Sequence, residues 1–307
     1  MTLSVVTTLY KSRRFLETFL IEILISIEKL NIKDFELIFV NDGSPDDSLE
    51  YLLKRKEEIP QITVIDLSRN FGHHYAMQAG LENAKGNYVF VIDNDLEVSP
   101  SFIITCFDTL KGDQEVDVVF GYQENRKGKI IENWGGKIFW WAINKFSDVK
   151  IPKNIVSERL MKRRYVNSLL QLGDANLFLG GMMYWTGYKQ MGVPIKKGIR
   201  EGESTYNTRK RLELMIQAIT SFSGKPLEYL FYSGIFITLA SLIFVLYLVG
   251  MKLFLGDSIQ LGWTSLVALN VLILGIISTF LGLIGIYIFK IFKQVQNRPN
   301  FIIREIY

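Results

Sequence analysis

The chain has one cysteine, Cys106, so an intramolecular disulfide is excluded and the usage fits a reducing compartment. An excess of charge is missing too. With 35 Lys and Arg against 31 Asp and Glu, the net charge is +4, which leaves no global case for nucleic acid as a partner. No leader pattern opens the sequence. The apolar run Leu3–Leu9 is short and broken by threonines, and Lys11, Arg13 and Arg14 follow it rather than precede it. Neither G-x-G-x-x-G nor a Walker sequence occurs, so the dinucleotide and P-loop readings lack their phosphate-binding loops. Internal repeats and low-complexity tracts are absent as well. The histidines His73 and His74 are adjacent. That spacing does not place two ligands on one helix face, so they read as pocket wall or helix start rather than a zinc site.

What is present is distributed unevenly. Tyr229–Met251 and Ser258–Phe289 carry no charge. As helix the first is about 35 Å long, enough to cross a bilayer core. The second exceeds what a crossing needs, so its span is expected to begin near Trp263. The chain therefore divides into a soluble part over 1–225, two membrane helices within 226–290, and a tail over 291–307. Arg209, Lys210, Arg211 and Lys225 precede the first span, and Lys290, Lys293 and Arg298 follow the second. The connection holds only Lys252, with Asp257 nearby. The positive-inside rule then places both termini in the cytoplasm. Gly275, Ser278, Gly282 and Gly285 form a small-residue stripe suited to close helix packing, within a protomer or between protomers.

Within the soluble part, strands and helices alternate. Strands are expected at Leu3–Leu9, Phe35–Val40, Ile62–Leu67, Tyr88–Ile92 and Val116–Phe120. Helices are expected at Phe15–Leu30, Asp47–Lys56, His73–Asn83 and Pro100–Leu110. This order predicts an α/β fold, a parallel sheet covered by helices on both faces. Ligands in such sheets bind at the carboxyl ends of the strands. Asp42 follows the second strand, Arg69 and Asn70 the third, and Asp93 and Asp95 the fourth. Acids at i and i+2 on an extended chain point to one side and suit a hard cation such as Mg²⁺ or Mn²⁺. An Asp/Asn-rich turn would contain the same residues for turn chemistry alone.

The later chain is less regular. Asn133–Phe146 holds Trp134, Phe139, Trp140, Trp141 and Phe146 beside Lys137 and Lys145, which suits either an interfacial helix or a core helix. Arg159–Leu172 reads as a basic helix, Tyr184–Met191 as a late strand, Lys196–Tyr206 as a mobile loop, and Asn207–Ser221 as an amphipathic helix.

Several stretches together resemble the polyprenyl-phosphate glycosyltransferases of family 2, such as dolichyl-phosphate mannose synthases and bacterial undecaprenyl-phosphate glucosyltransferases. They are Ser4-Val5-Val6, Val40-Asn41-Asp42-Gly43-Ser44, Leu67-Ser68-Arg69-Asn70-Phe71-Gly72-His73, Asp93-Asn94-Asp95-Leu96-Glu97 and Ile219-Thr220-Ser221-Phe222-Ser223. The resemblance implies a GT-A (Rossmann-like) domain followed by two transmembrane helices. It implies metal-dependent, inverting transfer of one sugar from a UDP- or GDP-linked donor to undecaprenyl or dolichyl phosphate, at the cytoplasmic face of a bacterial inner membrane, by a homo-oligomer.

By this resemblance Tyr10, Asp42, Arg69 and Asp93 bind the nucleotide sugar. Asp93, Asp95 and Glu97 hold Mg²⁺ or Mn²⁺. Asp95, Arg126 and Arg159 serve catalysis, with the arginines near the acceptor phosphate. Two departures stand out. The run after the first strand is Thr8-Leu9-Tyr10-Lys11-Ser12, where relatives have Pro-x-Tyr-Asn-Glu. Ser157 stands where glucosyl-type relatives have the Asp proposed as base. That substitution leaves open an inactive sugar-nucleotide-binding scaffold. A polysaccharide synthase would need more spans and a Gln-x-x-Arg-Trp segment, and neither is here.

Overall fold

A computed structural model describes residues 2–123, 152, 154–175, 179–195, 220, 224–255 and 263–307. Four strands, β1 (Thr2–Leu9), β2 (Asp34–Asn41), β3 (Ile62–Leu67) and β4 (Tyr88–Val91), pair in parallel. Their registers run Leu9↔Asn41, Asn41↔Asp66 and Val6↔Val91, so their carboxyl ends share one edge. Four helices alternate with them: α1 (Arg13–Lys29), α2 (Ser48–Glu58), α3 (His73–Asn83) and α4 (Phe102–Gly112). The strands are nearly continuous apolar runs, such as Leu37-Ile38-Phe39-Val40, because both faces are covered. On one face Phe19, Leu52 and Phe102 pack against Phe39 and Phe90. On the other, Ala76 and Met77 pack against Val6, Val40 and Val91. Gly80 of α3 sits so close to β1 that a Cβ would collide with the Val6 side chain.

The expected parallel sheet is corrected to a mixed one. Beyond β4 lie β5 (Val118–Gln123), β6 (Ile155–Lys162) and β7 (Gln190–Ile195), and the last strand is β8 (Ile303–Ile306). The order across the sheet is β7-β5-β6-β4-β1-β2-β3-β8. Strand β6 runs antiparallel to both β4 and β5, and β8 antiparallel to β3. The expected helix at Arg159–Leu172 is therefore two elements, the end of β6 and α5 (Arg163–Leu170). The expected strand at Tyr184–Met191 is the end of α6 (Leu179–Trp185) and the start of β7. Charge misleads the helix reading of Arg159–Leu172. Glu158 and Arg159 are buried inside β6, where burial wins over polarity because neighbours on both sides form a continuous ladder.

Two long helices follow, α7 (Lys225–Leu255) and α8 (Trp263–Gln296). Among the described residues, Gly275–Gln296 is long and apolar enough to cross a membrane, with mean hydropathy 2.0 and no burial inside the protein. A Cβ added at Gly275, Gly282 or Gly285 would meet no atom within 4 Å, so the small-residue stripe faces outward rather than into α7. Within the expected tail over 291–307, Ile303–Ile306 returns to the sheet as β8. β1 and β8 belong to one sheet, so both ends of the chain lie on the same side of the α7–α8 hairpin.

Candidate active site

The carboxyl edge of β1 to β4 is built from turns that hold one another. At the end of β2, Asn41 is 4% exposed and donates from Nδ2 to Asp66 Oδ1 at 2.7 Å, while its Oδ1 accepts from the Ser44 amide at 3.0 Å. Gly43 has φ +61°, and a Cβ there would come within 2.7 Å of the Asn70 nitrogen, so both backbone conformation and close approach require glycine. The Ser44 hydroxyl accepts from the Lys11 amide at 2.7 Å, which ties the β1 turn to the β2 turn.

Asp42 is buried, and each of its oxygens accepts a backbone amide: Oδ1 from Phe71 at 2.7 Å and Oδ2 from Gly72 at 3.0 Å. Burial raises its pKa above the ordinary 3.8, against the opposing pull of those two hydrogen bonds and of the nearby His73 and Arg69. Its carboxylate thus fixes the loop after β3. Arg69 is exposed at the tip of that loop, with its guanidinium 4.1 Å from the Phe71 ring centre. Tyr10, 51% exposed, extends past the end of β1 at the same edge.

The acids lie beyond β4. The strand ends at Val91, earlier than expected, and Leu96 adopts φ +59°. Strand alternation therefore does not reach Asp93 and Asp95, and the i, i+2 argument does not apply to them. A turn arranges them instead. Asn94 is buried and donates to the Thr8 carbonyl at 2.8 Å, which anchors the acidic segment to β1. Asp93 Oδ1 is 3.6 Å from His73 Nε2, and His73 Nδ1 is 2.9 Å from the Thr8 hydroxyl. Asp95 Oδ1 accepts the Glu97 amide at 3.1 Å. Among the described residues no three His, Cys, Asp or Glu side chains are gathered as a metal cluster. The two aspartates remain half-buried at an open edge, a hard-oxygen pair of the kind that suits Mg²⁺ or Mn²⁺.

On the other side of β4, Val91 pairs with Arg159. Extending that antiparallel register brings Ser157 beside the segment that carries Asp93. Arg159 is 2% exposed and donates to the carbonyls of Ser157 and Val156 at 3.0 and 3.1 Å. Among the described residues its Nη1 finds no hydrogen-bond partner, nor does the hydroxyl of Tyr184, whose pKa burial pushes up to about 12. Glu158 is equally buried but lies on the opposite face, with Leu160 against α4, whereas Arg159 shares the face of Met161. Arg126 falls outside the described residues, as do Asn133–Phe146, Lys196–Tyr206 and, Thr220 apart, Asn207–Ser221. Structure thus brings Tyr10, Asp42, Arg69, Asp93 and Asp95 to one edge and adds Asn94, His73 and Ser157 to it.

Residues 4–170 match the family described as Glycosyl transferase family 2. The chain is 35% identical to the uncharacterized glycosyltransferase YkcC of Bacillus subtilis, over 90% of this chain and 85% of that one. It is 30% identical to an SfII prophage-derived bactoprenol glucosyl transferase of Shigella flexneri, over 91% of this chain and 90% of that one. Among solved structures it resembles the mannosyltransferase PcManGT of Pyrobaculum calidifontis, determined with GDP-Man and Mn²⁺. The TM-score is 0.50 and the identity 16%, covering 96% of this chain and 86% of that one, a likeness of fold. With the matched segment spanning β1 through α5 and hence the whole carboxyl edge, the chain belongs to glycosyl transferase family 2 and has its GT-A fold.

Proposed function

We propose that the protein transfers one sugar, with inversion, from a nucleotide-sugar donor to a polyprenyl phosphate at the cytoplasmic face of a membrane that α7 and α8 span. The observation that carries this reading is a family 2 carboxyl edge joined in one chain to long apolar helices. The relative named as a bactoprenol glucosyl transferase supports the acceptor class, bactoprenol being a polyprenol. An apolar hollow of about 590 Å³ between α7 and α8, lined by Leu230, Phe231, Ile235 and Phe280 among others, suits the acceptor's hydrocarbon chain.

In the reaction an acceptor phosphate oxygen bonds to the sugar's anomeric carbon as that carbon's bond to the donor diphosphate breaks. The nucleoside diphosphate leaves. Tyr10 and Arg69 bind the nucleotide, and Asp42 holds the loop that carries Arg69. Asp93 and Asp95 would hold Mg²⁺ or Mn²⁺, which supplies charge compensation for the departing diphosphate. No protein base is required. A phosphate monoester has a second pKa of about 6, so roughly nine tenths of it is dianionic at pH 7 and has no proton to lose. Ser157 in place of Asp fits this. Glu158 does not replace the missing acid, because it faces the other side of the sheet. Arg159, with hydrogen-bonding capacity to spare, orients the acceptor phosphate.

The test is transfer of radiolabel from UDP-glucose or GDP-mannose into chloroform-extractable undecaprenyl phosphate by the purified full-length protein. Label in the lipid fraction from at least one donor is expected. Nucleotide binding without transfer from either donor would favour the inactive scaffold.

A further inference from the structure

The last strand comes back from the membrane helices to the donor edge, and its contacts there are polar and specific. Arg304 on β8 donates from Nη1 to Asp66 Oδ2 at 3.0 Å and from Nη2 to the Ser68 carbonyl at 2.9 Å. Asp66 is 1% exposed, and its other oxygen accepts from Asn41. Asn41 in turn holds the Ser44 amide. The Ser68 amide donates to the Ile302 carbonyl at 2.9 Å. The two turns that bear Asp42 and Arg69 are therefore both attached to the tail, one through a buried carboxylate and one through a backbone carbonyl. Upstream, Asn300 donates to Gln78 and to the Asp174 carbonyl, and Gln294 contacts Gly173 and Ala175. Those contacts dock the end of α8 on the domain without touching the donor turns.

We infer that Arg304 is a positioning residue for the nucleotide donor, acting through Asp66 and Asn41 on the turn at 41–44 and directly on the loop at 68–70. This rests on the donor assignment above. The physical reason is division of labour. Asp66 must be buried to reach Asn41, and a buried carboxylate needs a charged partner. β3 has no basic residue to offer, so the partner comes from β8. Without it Asp66 keeps one donor and draws water or rotates, and Asn41 loses its fixed orientation.

The test measures UDP binding in the presence of Mn²⁺ by calorimetry on the full-length protein in detergent, followed by transfer kinetics. Arg304→Ala should weaken UDP about tenfold, the effect of losing a charge-assisted hydrogen bond that orders a binding loop. It should raise donor KM by a similar factor with kcat within about twofold, because the missing order is restored once donor is bound. Arg304→Lys should recover part of the affinity. Asn300→Ala, which loosens the tail without reaching the turns, should bind UDP as the parent does. If Arg304→Ala does not yield folded protein, Asp66→Asn, which keeps a hydrogen-bond acceptor for Asn41, should show the same rise in donor KM. Unchanged UDP affinity in both Arg304→Ala and Asp66→Asn overturns the inference, as does an equal loss in Asn300→Ala. A parent protein that binds neither UDP nor GDP overturns the donor assignment itself, and this inference with it.

Discussion

The half of the sheet formed by β1 to β4 and the half formed by β5 to β7 handle polar groups in different ways. At the first, Asp42, Asn41, Asn94 and the Ser44 hydroxyl all have short hydrogen bonds to backbone or to one another. At the second, β6 buries an arginine whose partners are two carbonyls of its own strand, and Arg159 Nη1 and Tyr184 Oη are unpartnered among the described residues. In the proposed scheme the first half binds the donor and the second the acceptor phosphate, which would use the unpartnered Arg159 Nη1. Buried atoms without a partner among the described residues also occur in the first half, at Thr7 Oγ1 and Ser48 Oγ, away from those turns.

Substitutions can break or sharpen that contrast. The largest effect is expected at the acids. Asp95→Asn should lower transfer by about 10²–10³-fold, the range for removing a group that stabilises developing charge, with little change in thermal midpoint. Excess chelator should abolish transfer in the parent. Full activity in chelator would remove the metal from the scheme. Arg159→Ala comes next. Hydrogen bonds to charged groups contribute roughly 1.5–3 kcal/mol, so acceptor KM should rise about ten- to a hundredfold while UDP affinity is unchanged. Equal loss of donor and acceptor binding would show that Arg159 supports the fold rather than the acceptor. Glu158→Gln should cost less than about tenfold in rate, below the 10²–10⁴ of a working general base. A thousandfold loss with normal donor binding would mean that Glu158 reaches the reaction after all.

The smallest effect concerns pH. Burial raises the Asp42 pKa, so the folded chain takes up this proton more readily than the unfolded chain. The group's contribution to stability is therefore fully present below 3.8 and is lost as pH rises through its raised folded value. Asp42→Asn should remove that dependence, and should cost about 1–3 kcal/mol at neutral pH because the Asn amide can accept only one of the two backbone N–H groups. Thermal melts of both proteins between pH 3.5 and 7 would check this, and parallel pH profiles would contradict it.

The same contrast explains what could be read in advance. β1 to β4 and α1 to α4 are legible because each strand is an apolar run ended by a turn signal such as Asn41-Asp42-Gly43, and each helix has an apolar stripe. β6 was not legible. Ile155-Val156-Ser157-Glu158-Arg159-Leu160-Met161-Lys162 places two charged residues in the middle of a buried strand, and only its ladders with β4 and β5 explain them. The edge residues Asp42, Arg69, Asp93 and Asp95 are legible from their positions after strands and Tyr10 only from the family resemblance, but the role of Asp42 as a loop anchor needed coordinates. Arg304 carried no local signal at all, since its partner Asp66 lies 238 positions away.

That separation has a consequence for how the protein is made. β3 emerges from the ribosome early, and its outer edge must wait for β8 until the two long helices have been synthesised and placed. Through that interval the unpaired edge, with Val64 still lacking the Tyr307 backbone that later bonds it in both directions, can recruit another chain's strand. Recovery of monodisperse protein in detergent should therefore depend on residues after the helices. A fragment ending at residue 225 should aggregate although it holds every proposed donor-binding residue, and a short linker should be placed between Tyr307 and any fusion partner.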